Sequence, residues 1–268
     1  MLRSLILIWS LLALAPKPVL ADTMLLVPGY LGSAHSWRGT GITRGLQRWG
    51  WRDAGHLTTG PRDVIGPRRL IGGQKRFYTI DIPTEAPLVV QADLIARYIA
   101  LAQRRHPKDR LIVVGHSAGG VAARLAIVRN RRLKIYALLT IASPHLGSRM
   151  ADYGSSVANS PLSWFAPFMG AGTINRSRTL YRDLGREGPH NILGWLNRTP
   201  HPKAVYISVI RTMDGNPADG DDISVGWRQD MNMVPALRGQ AKTYYSLGTH
   251  ELRASDAAFI NAILSRLK

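Results

Sequence analysis

The chain predicts an α/β fold: a mostly parallel sheet with helices on both faces and a helical cap inserted past its middle. Three observations carry that expectation. Short, apolar, β-rich runs alternate with helical patterns along most of the chain, as strands joined by crossover helices do. A Gly-x-Ser-x-Gly stands where one such run gives way to a helix. The length of 268 residues with 45% apolar composition suffices for one large core with an insertion.

The elements follow in order. Arg3 precedes an apolar run, Leu5–Ala15, and Val19-Leu20-Ala21 ends on small residues. Residues 1–21 therefore read as an export signal, too short to span a bilayer, with residues 22–268 as the folded domain. An uncleaved membrane anchor is the alternative. The expected location is periplasmic or secreted. Met24–Val27 is the first candidate strand, and Pro28-Gly29-Tyr30-Leu31-Gly32 turns away from it. Phe77–Ile80 is the second strand. A helix follows, with Leu88, Ala92, Ile95, Ile99 and Ala102 along one face. Leu111–Val114 is the third strand, and the helix after it carries Val121, Ala122, Leu125 and Val128.

Ile135–Ala142 is the fourth candidate strand. Residues 149–203 then break the alternation with Gly, Pro, Ser and Asn around two apolar clusters, one centred on Trp164 and Phe165, the other on Leu193 and Trp195. A simple crossover needs far fewer residues, so this stretch reads as a cap over the strand ends. A helical pair completing the core is the other reading. Val205–Ile210 and Thr243–Leu247 are the last strands, and Ala257, Ile260, Leu264 and Leu267 mark a closing helix.

Composition limits the chemistry. With no cysteine there are no disulfides, thiolate metal sites or cysteine nucleophiles. Lys+Arg number 35 against 17 Asp+Glu, a net charge of +18, which licenses affinity for anionic surfaces but no particular reaction. The clusters Arg104-Arg105, Arg129/Arg131/Arg132/Lys134 and Arg176/Arg178/Arg182/Arg186 are solvated faces or such a contact. No nucleic-acid-binding motif accompanies the charge.

Gly115-His116-Ser117-Ala118-Gly119 places Ser117 on a sharp strand-to-helix turn. Such a turn strains the serine and projects its Oγ above the carboxyl end of the sheet, and the N–H of Ala118 opens the helix toward a developing oxyanion. A dinucleotide loop is excluded because the Gly-x-Gly-x-x-Gly spacing is absent.

Two further segments complete a pattern. The apolar strand ending in Pro28-Gly29-Tyr30 resembles the oxyanion turn of the lipase and esterase branch of the α/β-hydrolase family, with Pro28 where that family has His. Ser143-Pro144-His145-Leu146-Gly147-Ser148 is similar to the Pro-His-x-Gly-Ser segment that follows a central strand in many lipases. The resemblance covers most of the chain past residue 21. It implies that Tyr30 supplies the second oxyanion N–H and that His145 has a positional role beside the pocket. It also implies the chain order Ser, Asp, His. His250, on the loop after the last strand, is then the base. The acid lies among Asp214, Asp219, Asp221 and Asp222. The family's Asp-Gly-x-Val register favours Asp221, with Asp222 in the glycine position, and Asp222 and Asp219 remain alternatives. The surplus acids are loop charge or a calcium site of the kind some lipases carry; neither metal nor cofactor is required for the chemistry.

The implied activity is hydrolysis of carboxylic esters through an acyl-enzyme, with lipid acyl esters favoured by the apolar cap. A small-substrate esterase or thioesterase shares the same constellation. A non-catalytic protein of this fold docking on anionic envelope surfaces is the reading from a different class. The expected partners are an acyl-ester substrate and, peripherally, an anionic membrane surface, but not nucleic acid.

Overall fold

The computed structural model describes residues 21–148, 176–188, 191–216 and 218–267. The proposed export signal lies outside these residues except for Ala21, and so does the first half of the proposed cap, residues 149–175. In chain order the elements are β1 (Asp22–Val27), α1 (Ala34–Gly39), α2 (Ile42–Arg48), β2 (Arg52–Thr59), β3 (Val64–Ile65), β4 (Lys75–Ile80) and α3 (Leu88–Arg105). They continue as β5 (Arg110–His116), α4 (Ala118–Arg129), β6 (Ala137–Ile141), α5 (Arg178–Leu184), α6 (Ile192–Arg198), β7 (Val205–Thr212), α7 (Gly226–Gln229), β8 (Ala241–Leu247) and α8 (Asp256–Ser265).

The strands form one sheet in the order β3-β2-β4-β1-β5-β6-β7-β8. Every neighbouring pair is parallel except β2 with β3. The two-residue period of a strand divides the apolar side chains between two cores. Leu25, Val27 and Val113 join the core under α3 and α4, whereas Met24, Leu26, Ile112 and Val114 join the one under α1, α2 and α8. Helices thus cover both faces, as the alternation of runs predicts.

The six strands read from the sequence are all present with ends shifted by a few residues. Ile135–Ala142 is shorter than expected, because the chain leaves the sheet after Ile141 and Ala142 turns with φ 53°. β2, β3, α1, α2 and the four-residue α7 have no counterpart in the sequence reading. The described part of residues 149–203 is a helical pair, α5 and α6, whose Leu180, Leu184, Leu193 and Leu196 are buried in the core shared with α3 and α4. Among the described residues, no helix is long and apolar enough to cross a membrane.

This topology puts the carboxyl ends of β1, β5, β7 and β8 at one edge of the sheet, and the loops leaving them bring Gly29, Ser117, Asp221 and His250 together.

Candidate active site

Ser117 is the cap of α4, with φ 50° and ψ −131°, one of three non-glycine residues with positive φ among those described. Such a backbone persists only where its surroundings impose it. Here they do. A side chain on Gly119 would overlap the Pro28 carbonyl, and one on Gly29 would come within 2.9 Å of both Ser117 Cβ and His116 Nδ1. The loop after β1 and the turn after β5 can therefore approach this closely only with glycine at both contact points.

Ser117, His250 and Asp221 form a continuous hydrogen-bonded chain. His250 Nε2 lies 2.7 Å from Ser117 Oγ, and Nδ1 lies 2.9 Å from Asp221 Oδ2. The Asp221 side chain is fully buried. Its Oδ1 accepts from the Ile223 and Ser224 amides at 2.9 and 2.7 Å, and its Oδ2 accepts also from Gln229 Nε2 at 3.2 Å. These donors hold the buried carboxylate in one orientation.

The four loop acids separate clearly. Asp221 takes the ring of His250. Asp222, its neighbour at the family's glycine position, takes the His250 backbone, accepting from that N–H at 2.8 Å. Asp214 and Asp219 are exposed and engaged locally with Asn216. Among the described residues no three acids or histidines converge as metal ligands would.

His116 was not singled out in the sequence, yet it fixes the other end of the same backbone. Its Nε2–H donates to the His250 carbonyl at 2.9 Å, and the two rings lie 5.2 Å apart. Burial, and then the proximity of His250, push the His116 pKa down to about 3, so it stays a neutral donor through the working range. His145 is fully buried, with Nε2 3.0 Å from Thr140 Oγ1 and its carbonyl accepting from Asn197 at 3.0 Å. Burial holds its pKa well below the usual value. His201 sits at the opposite end of β7 against Tyr206, and His190 lies outside the described residues.

Tyr30 follows Gly29, and its hydroxyl is tied to that of Tyr181 on α5 at 2.6 Å with the rings edge to face. The turn closes through the Gly32 N–H to the Gly29 carbonyl at 2.9 Å, with Leu31 at φ 56°. Among the described residues no backbone carbonyl accepts from the N–H of Tyr30 or Ala118. The loop bearing Tyr30 and the first turn of α4 thus meet beside Ser117 Oγ.

The buried neutral histidines make the fold sensitive to acid. In the unfolded chain His116 and His145 take up protons near pH 6.5, whereas the folded chain refuses them. Stability is therefore greatest above that pH and falls as pH drops through it, by about 1.4 kcal/mol per pH unit for each group. Urea midpoints between pH 7.5 and 5 should show this decline, with a shallower slope for His116→Asn. Equal slopes in both proteins would contradict the assignment of His116 as a neutral donor.

Residues 21–159 match the family described as a PGAP1-like alpha/beta domain. Among solved structures, a gene product of Listeria innocua aligns with a TM-score of 0.63 at 14% identity, over 92% of this chain and 95% of that one. The propeptide form of the lipase BlEst2 from Bacillus licheniformis aligns with a TM-score of 0.64 at 13% identity, over 95% of this chain and 51% of that one. A carboxyl esterase of metagenomic origin aligns at 0.51 and 15% identity, over 94% and 78%. Likeness at these identities is likeness of fold. A search of curated proteins finds no match.

Proposed function

The chain belongs to the PGAP1-like alpha/beta domain family, with an α/β-hydrolase fold, and from that premise we propose that it is a serine hydrolase cleaving carboxylic esters through an acyl-enzyme. The observation that carries the proposal is the unbroken chain from Ser117 Oγ through the His250 ring to the buried Asp221.

In the proposed mechanism His250 Nε2 takes the Ser117 proton as Oγ attacks the acyl carbonyl. Asp221 keeps the other ring proton on Nδ1 and stabilises the imidazolium that forms. The N–H groups of Tyr30 and Ala118 receive the negative oxygen of the tetrahedral intermediate. The imidazolium then protonates the leaving alcohol. Water, activated by the same histidine, releases the acid. No cofactor enters.

The acyl part is proposed to be a medium or long chain from a lipidic ester. Leu31, Met213 and Leu247, exposed at 61%, 59% and 62%, all stand on segments leaving the carboxyl ends of strands, the edge that holds Ser117. Exposed apolar side chains at a binding mouth favour an apolar ligand. Residues 1–21 are proposed to direct the protein to the periplasm or beyond, and the part of residues 149–203 ahead of α6 to act as the cap over this mouth.

A fluorophosphonate probe tests the chemistry and an ester series tests the substrate. The probe should label a single site, Ser117, and p-nitrophenyl octanoate should be turned over with a kcat/KM at least about ten-fold above that for acetate, the lower end of what even one added methylene gives in an apolar pocket. No labelling would remove the enzyme. A steep preference for acetate would replace the lipidic ester with a small one.

A further inference from the structure

The charge of the chain is sorted by the sheet. Five of the connections that feed parallel strands carry exposed cations: Arg48 ahead of β2, Lys108 ahead of β5, Arg131 and Arg132 ahead of β6, Lys203 ahead of β7 and Arg238 ahead of β8. The acids at this amino edge are already engaged, Asp22 with Arg110, Asp53 with Arg38 and Asp109 with Arg76. The opposite edge holds Asp81 and Glu85 after β4, Asp214 and Asp219 after β7 and Glu251 after β8, alongside the exposed Arg176, Arg178, Arg182 and Arg186 around α5, and there Glu85 pairs with Arg176. One end of the molecule is strongly positive, and it is the end away from Ser117.

That end also exposes two indoles, while a third, Trp227, is exposed on the opposite edge. Trp49, 52% exposed, follows α2, and Trp195, 45% exposed, projects from α6. Trp195 lines an open groove of about 770 Å³ together with Leu133, Arg129, Arg131 and Arg132. Among the described residues neither Arg131, Arg132 nor Lys134 has an ion-pair partner. Arginine with exposed indole is the combination suited to a bilayer interface, where the cation meets a lipid phosphate and the ring sits at headgroup depth. A purely polyanionic partner calls for the charge and not the indoles. The chain also enters the fold on this edge, at Ala21 beside Arg110, directly behind the apolar run Leu5–Ala15.

We propose that the amino edge of the sheet, centred on the groove of Arg131, Arg132 and Trp195, docks on an anionic phospholipid bilayer and holds the Ser117 mouth facing away from it. The ester then reaches the site from the aqueous side. This docking does not depend on the hydrolase reading, and the two can fail separately.

Cosedimentation of the full chain with phosphatidylcholine vesicles, with and without about 30% phosphatidylglycerol, tests it. Binding should require the anionic lipid and fall at least ten-fold as salt rises from about 0.05 to 0.5 M. The triple variant Arg131→Glu/Arg132→Glu/Lys134→Glu should bind at least ten-fold more weakly, and Trp195→Ala several-fold more weakly. Brominated lipid should quench the wild-type fluorescence more than that of Trp195→Phe. Ser117→Ala should bind like the wild type, and vesicle-bound wild type should take the fluorophosphonate probe at the rate of free protein. Equal binding to neutral vesicles, or unchanged binding of the triple variant, would overturn the proposal. So would retention on heparin with no effect of Trp195→Ala on vesicles, which would identify a polyanion instead of a bilayer. Protection of Ser117 on vesicles would reverse the orientation.

Discussion

Ser117→Ala should leave a folded protein whose kcat for p-nitrophenyl esters is about 10⁴- to 10⁶-fold lower, the range seen when a hydrolase loses the nucleophile that its base and acid serve. The expectation rests on the 2.7 Å contact between Ser117 Oγ and His250 Nε2, which alanine cannot make. What remains is the oxyanion donors and substrate binding, which accelerate attack by water only modestly. Stability responds differently from activity at this position. Alanine inherits the backbone at φ 50°, whereas glycine adopts it freely, so Ser117→Gly should be more stable than Ser117→Ala by about 1 kcal/mol. The neighbouring acids give a graded comparison in the same assay. Asp221→Asn disturbs the tautomer of His250 and should cost about 10²- to 10⁴-fold in kcat. Asp222→Ala removes a contact to the His250 backbone only and should cost about ten-fold or less. Wild-type turnover in Ser117→Ala, or a larger loss at Asp222 than at Asp221, would sink the assignment.

The legible parts of this molecule are those in which consecutive residues carry the whole signal. The strand-turn-helix around Ser117 is one, because the strand, the flanking glycines and the helix that shape the turn are consecutive, although the turn's close contacts reach back to Pro28 and Gly29. The buried strands β1, β5 and β6 are another, since burial on both faces demands an unbroken apolar run. Strand β2 was not legible. Of Arg52–Thr59 only Ala54 and Leu57 are buried, and a register shift between Asp53 and His56 breaks the alternation that would reveal it. The acid loop was legible to within two residues and no further. Asp221 and Asp222 have the same chemistry, and only the path of the loop sends one to the ring and the other to the backbone of His250. His116 is hidden for a related reason: its partner lies 134 positions away. The sorting of charge between the two sheet edges cannot be seen in a net charge at all, because it depends on which loops feed strands and which leave them.

Arg211→Met should be the most destabilising single change outside the apolar core, lowering unfolding free energy by about 3–5 kcal/mol. Arg211 and Asp256 are buried, with side-chain exposures of 0% and 3%, and Arg211 Nη2 donates to both carboxylate oxygens at 2.7 and 2.6 Å. The same guanidinium donates to Ser246 Oγ at 2.7 Å, and Asp256 accepts from the Arg253 N–H at 2.8 Å. Ser246 and Asp256 bracket the loop that carries His250, so this pair closes the loop. The Arg211 backbone N–H donates to Gln229 Oε1 at 2.9 Å, and Gln229 in turn supports Asp221. One residue at the end of β7 therefore steadies both Asp221 and His250. Methionine would fill much of the volume but strand a carboxylate in a dry site, and the desolvation of that charge dominates the expected loss. The diagnostic comparison is the double variant Arg211→Met/Asp256→Leu. It removes both charges together and should recover most of the stability by urea unfolding, yet it should remain impaired in kcat because the His250 loop has lost its tie. If the single and double variants unfold at the same urea concentration, the cost lies in packing and not in the stranded charge. If the double variant regains full activity as well, the pair serves the fold alone and has no part in holding His250.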